Sequence, residues 1–258
     1  MSKVYFVGCG PGDPDLITVK AKKLIQNADV VVYSGSLIPP EILKLCKKAR
    51  TYDAAKLVRE EIFDLLKKNA KKGKRVVRLH DGDPSIYGAI REQMDNLYKE
   101  KIDSVIIPGV TSFLASAAAL GVQLTLPGVT QTMIISRAEK RTKVPKREKI
   151  SELAKHRATM IFYLSIHLLS NIVKEALAGG YVKSTPVGVV YRASWADEKI
   201  ITGTLETITK RVRDQKITRT AIIIIGDVIK PKSYEYSRLY DKSFSHGFRK
   251  SHSKSTKN

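Results

Sequence analysis

The sequence is poor in cysteine, in tryptophan and in acid. Its 258 residues hold two cysteines, Cys9 and Cys46, and one tryptophan, Trp195. Two cysteines this far apart have no zinc-ligand spacing and build no disulfide framework, so the chain reads as a reduced, cytoplasmic protein. No apolar run approaches the ~20 residues that span a bilayer, which leaves no candidate membrane helix. The start, Met1-Ser-Lys-Val-Tyr-Phe, enters a strand directly and lacks the pattern of a signal peptide. No Lys-Ser or Lys-Thr follows the first glycine-rich turn, which excludes a Walker phosphate loop. Acids number 25 against 46 Lys and Arg, for a formal net charge of +21. That one-sided excess predicts an anionic partner: nucleic acid, a membrane surface or a polycarboxylate. A basic RNA-binding protein is therefore one alternative, although no RNP-type aromatic pattern is present.

What is present is an alternation of short apolar runs with amphipathic stretches, which points to an α/β protein. Strands are expected at 4–8, 30–33, 75–79, 103–107, 130–136, 159–164, 186–191, 199–204 and 220–226. Helices are expected at 19–27, 41–47, 57–71, 89–99, 112–119, 168–178 and 205–212. Thr18 is placed to cap the first helix, and Thr111 or Ser112 to cap the one after 107. The strand at 199–204 follows its predecessor too closely for a crossover helix, so it should pair antiparallel. The expected organisation is two α/β domains with an active-site cleft between them: 1–120 with alternating strands and helices, and 121–249 with a mixed sheet and a basic tail. Residues 250–258 are expected to be disordered.

The chain is organised around His80-Asp-Gly-Asp-Pro-Ser-Ile-Tyr-Gly88, at the junction of a strand and a helix. In an open α/β sheet, ligands bind at the carboxyl ends of strands. Pro108-Gly-Val-Thr-Ser112 is a second such loop. Gly8-Cys-Gly-Pro-Gly-Asp13 is a third, but Pro11 removes a backbone donor and Asp13 and Asp15 repel a phosphate. The Asp81-Gly-Asp83 pair has a rival reading as a Mg²⁺ site, which lacks further acids nearby. Residues 137 to 157 carry nine Lys or Arg against three Glu; they read either as a basic flap over an anion or as a solvated loop.

Four segments occur in a recognisable order: Gly8-Cys-Gly-Pro-Gly-Asp with Leu16-Ile-Thr18, Ala28-Asp-Val-Val-Val-Tyr33, Gly82-Asp-Pro-Ser-Ile-Tyr-Gly88 and Pro108-Gly-Val-Thr-Ser112. Together they resemble the tetrapyrrole methylases, which transfer methyl from S-adenosylmethionine. Leu126–Thr132, Ser136–Thr142, Tyr191–Lys199 and Leu239–Arg249 are similar to the branch that methylates C11 of precorrin-4 in cobalamin biosynthesis, and the last of these implies that His246–Arg249 is ordered. A sister methylase acting on another precorrin is the near alternative. The resemblance implies a homodimer that acts on a tetrapyrrole polycarboxylate and binds neither nucleic acid nor membrane.

It also implies S-adenosylmethionine contacts at Asp81, Gly82, Asp83, Ile86, Thr111 and Ser112, and across the cleft at Leu164, Ala193 and Ala221. Gly10, Gly12 and Asp13 fall on the tetrapyrrole side. Uroporphyrinogen methylases carry a proposed acid–base aspartate after the second strand; the equivalent residue here is Ser34, so that chemistry does not transfer. Arg137, Arg141 and Arg192 are candidates for substrate carboxylates, with Glu139 beside them, and Trp195 for a flat wall. A sulfonium needs alignment rather than a nucleophile or a metal. A base, if one acts, is to be sought among Tyr33, Asp13, Glu139 and His80, which the sequence does not rank.

Overall fold

The computed structural model describes residues 3–139 and 142–251. Arg141, and residues 252–258 of the 250–258 stretch expected to be disordered, lie outside the described residues. In chain order the elements are β1 (Lys3–Gly8), α1 (Val19–Gln26), β2 (Val30–Tyr33), α2 (Pro40–Leu43), β3 (Arg50–Asp53), α3 (Arg59–Lys71), β4 (Val76–His80), α4 (Arg91–Lys99), β5 (Asp103–Ile107) and α5 (Ser112–Leu120). The second half adds β6 (Met133–Arg137), α6 (Ile150–Ala154), β7 (Thr159–Tyr163), α7 (Leu169–Ala178), β8 (Pro186–Tyr191), β9 (Lys199–Thr204), α8 (Ile208–Asp214) and β10 (Ala221–Ile225).

The first sheet is parallel, with strand order β3-β2-β4-β1-β5. Ala21, Ile25 and Ile42 of α1 and α2 pack on one face with Val7, Val31, Val77 and Leu79. Leu66, Ala70 and Leu97 of α3 and α4 pack on the other with Val4, Phe6, Val30, Val32 and Val76. The helices that follow the neighbouring strands β1 and β4 thus leave to opposite faces, which opens a crevice at the carboxyl ends of those strands.

The second sheet has order β6-β7-β10-β8-β9 and is mixed: β6 and β7 run parallel, the remaining neighbours antiparallel. The pairing of β8 with β9 is the antiparallel one expected from the short connection. Four consecutive isoleucines, Ile222–Ile225, place β10 at the centre with both faces covered. Helices α6, α7 and α8 cover one face through Ile150, Ile172 and Ile208. The other face is covered by α5, whose Phe113 and Ala117 meet Ile161, Ile222 and Ile224.

Several elements differ from expectation. β3 is absent from the sequence reading, because Arg-Thr-Tyr-Asp is an edge strand with no apolar alternation. β6 starts at Met133, since Val129 and Thr130 turn back to the Leu126 carbonyl. α8 starts at Ile208, since the Thr207 hydroxyl accepts the Thr204 amide and holds a turn. Thr18 caps α1 through the Ala21 amide as expected. Thr111 occupies the cap position of α5 but makes no cap hydrogen bond; its hydroxyl is spent on Tyr163 instead. The basic stretch after 137 is only half a loop, because α6 is packed into the core. His246 and Arg249 form an isolated bridge, and the Arg249 guanidinium gathers the carbonyls of Leu239 and Asp241.

Candidate functional site

Three strand ends from the first sheet meet backbone to backbone. A Cβ on Gly8 would sit 2.5 Å from the Gly82 carbonyl oxygen and 2.8 Å from the Gly109 nitrogen, and one on Gly109 would sit 2.1 Å from the Gly82 oxygen. Only glycine permits this approach. Gly10 and Gly82 exchange backbone hydrogen bonds at 3.3 and 2.8 Å. Asp83 fastens the third loop: its Oδ2 accepts the Gly109 amide at 2.9 Å and its Oδ1 the Ser85 amide at 2.8 Å. Both carboxylate oxygens therefore face backbone N–H groups, and Asp83 shapes the site from behind.

Above this floor, between the two sheets, lies a cavity of about 290 Å³. Asp81, Ser112 and Pro11 contribute to its wall from the first half of the chain, with Ser36 and Leu37 from the turn after β2. Tyr163, Leu164, Val190, Arg192, Ala193, Trp195, Thr220, Ala221 and Ile222 contribute from the second. Of the nine residues assigned to the cofactor from resemblance, Asp81, Ser112, Leu164, Ala193 and Ala221 converge on this one cavity. Gly82, Asp83, Ile86 and Thr111 stand one layer behind them: Ile86 packs on the α5 cluster and Thr111 is buried against Tyr163.

The substrate candidates divide differently. Gly10, Gly12 and Asp13 flank Pro11 at the cavity rim. A Cβ on Gly12 would fall 2.1 Å from Trp195 Cδ1. Trp195 Nε1 donates to the Pro11 carbonyl at 2.9 Å, and the Asp13 amide donates to Ser194 Oγ at 3.0 Å. These contacts latch the loop after β8 onto the loop after β1. Arg192 is in the wall, with its Cζ 4.7 Å from the Trp195 ring centre and 5.4 Å from that of Tyr191. Nη1 pairs with Asp197 at 2.7 Å, while its buried Nε has no partner among the described residues. Arg137 and Glu139 lie outside the wall. Arg137 donates to the carbonyls of Thr142 and Lys143 at 2.9 and 3.0 Å, and Glu139 accepts the Val144 amide at 3.3 Å. Both hold the basic loop's own backbone.

Burial raises the Asp81 carboxyl above the ordinary carboxylate range; its own backbone amide and the Arg78 guanidinium pull it back. His80 is 3% exposed, and burial, aided by Arg78, pushes its imidazole down to about 3. A neutral ring beside Phe6 that does not reach the cavity is no base for a bound substrate. Burial likewise raises Tyr33 and Tyr163.

Tyr163 is a site residue that the sequence reading missed. Its phenol oxygen accepts the Phe113 amide at 3.2 Å and lies 2.5 Å from Thr111 Oγ1, joining the end of β7 to the start of α5. A second missed signal is backbone strain. Leu164, Arg192, Ser194 and Thr220 adopt φ of +54°, +47°, +68° and +54°, at about 1–3 kcal/mol each for non-glycine residues in this region. All four lie at or beside the cavity wall. These left-handed turns redirect the chain just beyond the ends of β7 and β8 and just before β10.

Residues 3–209 match the family described as Tetrapyrrole (Corrin/Porphyrin) Methylases. The chain is 54% identical to the cobalt-precorrin-4 C(11)-methyltransferase of Methanocaldococcus jannaschii over 253 residues, 98% of each chain. An X-ray structure of a cobalt precorrin-4 methyltransferase superposes with a TM-score of 0.85 at 44% identity, covering 89% of this chain and 97% of that one. A uroporphyrin-III C-methyltransferase from Thermus thermophilus, solved with S-adenosylhomocysteine, gives a TM-score of 0.74 at 31% identity, covering 88% and 99%.

Proposed function

The chain belongs to the tetrapyrrole (corrin/porphyrin) methylases, and from this we propose that it transfers the methyl group of S-adenosylmethionine to C11 of cobalt-precorrin-4, giving cobalt-precorrin-5A in cobalamin biosynthesis. The observation that carries the reading is the convergence of Asp81, Ser112, Leu164, Ala193 and Ala221 on one cavity between the sheets. Their chemistry suits the cosubstrate. Leu164, Val190 and Ile222 offer apolar area for a flat base, Ala193 and Ala221 leave room, and the Asp81 carboxylate faces a molecule that carries positive charge.

S-adenosylmethionine supplies a methyl on a sulfonium, which a carbon nucleophile displaces in line. The protein's part is alignment and exclusion of water, worth about 7–11 kcal/mol when geometry is near attack. The three glycine contacts and Asp83 fix the floor. Trp195 and Arg192 bound the opposite side, where the macrocycle and its carboxylates would lie, and Arg192 keeps donors free for a carboxylate. We assign the +21 charge to that polycarboxylate rather than to RNA. The expected division near 120–128, the homodimer and a cytoplasmic location belong to the same proposal. Among the described residues no helix is long and apolar enough to cross a membrane.

The test is incubation of the purified protein with methyl-labelled S-adenosylmethionine and precorrin-4, with and without cobalt. Label at C11 of the cobalt form is the expected result. Label only in the cobalt-free form refutes the cobalt assignment, and label in neither, despite S-adenosylhomocysteine binding, refutes the substrate.

A further inference from the structure

Arg78 is a charged residue in the wrong layer. Along β4, Val76, Arg78 and His80 face the side packed by α3 and α4, beside Phe6, Val30 and Val32. The side chain is 6% exposed, and burial lowers its pKa to about 10, so it stays protonated at neutral pH. A buried charge is costly unless its hydrogen bonds are met. Those bonds show what it holds.

Nη1 donates to the carbonyls of Val32 and Leu79 at 3.2 and 3.1 Å and to Ser34 Oγ at 3.2 Å, sharing two hydrogens among three acceptors. Ser34 Oγ in turn donates to the Leu79 carbonyl at 3.2 Å. Nε donates to Gln93 Oε1 at 3.4 Å, and Gln93 Nε2 donates to the Ala89 carbonyl at 3.0 Å. Leu79 is the residue before the His80–Gly88 loop and Ala89 the residue after it. Tyr87 and Ala89 are held at φ of +56° and +48°, which an unsupported chain would leave. One buried network therefore grips both ends of the loop and the turn after β2 that supplies Ser36 and Leu37 to the cavity.

We propose that Arg78 and Gln93 form a clamp that positions the His80–Gly88 loop for S-adenosylmethionine, and that both are positioning residues for methyl transfer. The inference rests on the reading that this loop holds the cosubstrate. The charge serves the same end: Asp81, in the cavity wall, is the carboxylate whose charge acts on Arg78.

The test uses Gln93→Met, which keeps the volume and removes both arms, alongside Arg78→Lys, which keeps the charge and loses the fork. For Gln93→Met the dissociation constant for S-adenosylhomocysteine and the KM for S-adenosylmethionine should each rise about tenfold, since a lost buried pair of this kind is a factor of that order. The KM for the tetrapyrrole should stay within about twofold, because the loops at Pro11 and Trp195 are not part of the network. Gln93→Glu, which keeps the acceptor for Arg78, should recover part of the affinity. A Gln93→Met protein that melts at a lower temperature with cosubstrate affinity unchanged overturns the clamp, as does an equal rise in both KM values. Failure of the unmodified protein to bind S-adenosylhomocysteine is a separate outcome and refutes the cosubstrate site itself. Arg78→Lys should follow Gln93→Met in direction; if it does not fold, the glutamine variants still decide.

Discussion

Asp83→Ala separates a residue that touches ligand from one that builds the site. The carboxylate makes two bonds, to the amides of Gly109 at 2.9 Å and Ser85 at 2.8 Å. Ser85 is exposed, so its amide finds water in the variant and the loss there is about 0.5 kcal/mol. Gly109 is half-buried and is held in a backbone contact that leaves little room for water, so that bond to a charged acceptor is worth about 1.5–2 kcal/mol. The sum, about 2 kcal/mol, corresponds to a fall in melting temperature of about 4–8 °C for a chain of this size. Binding should suffer as well. Gly109 leads directly into Thr111 and Ser112, and a loosened start to α5 moves Ser112 relative to Asp81. The expected loss of S-adenosylhomocysteine affinity is about three- to tenfold, read by calorimetry beside a thermal melt. Asp83→Asn should fall between, since one amide oxygen can serve only one of the two N–H groups. A variant that melts within about 1 °C of the parent and binds within about twofold would refute the reasoning.

Three further outcomes follow from the same geometry. Gly109→Ala places a Cβ 2.1 Å from the Gly82 carbonyl and should cost about 1–3 kcal/mol in denaturant unfolding together with cosubstrate affinity; an unchanged midpoint would show that the loops part freely. His80 is neutral in the folded state down to about pH 3, whereas the unfolded side chain takes a proton near 6.5. Its contribution is thus fully present above 6.5 and is lost as pH falls towards 3, and His80→Phe should remove about 2 kcal/mol of the difference in unfolding free energy between pH 6 and pH 4.5. Arg192→Met should raise the KM for the tetrapyrrole about tenfold while leaving the KM for S-adenosylmethionine within about twofold; equal effects on the two would place Arg192 in support of the wall rather than on a carboxylate.

The strands with unbroken apolar runs and the helices with a buried stripe were legible because period and burial coincide there. The three glycines at the floor were legible as punctuation, each at or just beyond the end of a strand. β3 was not, since an edge strand paired on one side needs no apolar alternation. Nor were the left-handed turns at Leu164, Arg192, Ser194 and Thr220, because leucine, arginine, serine and threonine carry no local preference for them and are held there by their surroundings. Arg137 and Glu139 show the converse. A charged residue in or beside a basic loop looks like a ligand contact, and only the path of the chain reveals that it holds the loop's backbone. Arg78 was hidden for a related reason: within Val-Val-Arg-Leu-His it passes for an outward residue on a strand.

The cleft is closed unequally along its length. At one end Tyr163 ties β7 to α5 over a continuous apolar cluster that includes Phe113, Ile161 and Ile222. At the other, Trp195 meets Pro11 and Ser194 meets Asp13 through two neutral hydrogen bonds, each worth about 1 kcal/mol. Separating β7 from α5 at Tyr163 would expose that buried cluster, while separation at Trp195 would break the two hydrogen bonds and the contact of the indole with Gly12. A broad, flat substrate is therefore expected to reach the cavity from the Trp195 side, where fewer buried apolar contacts join the two halves.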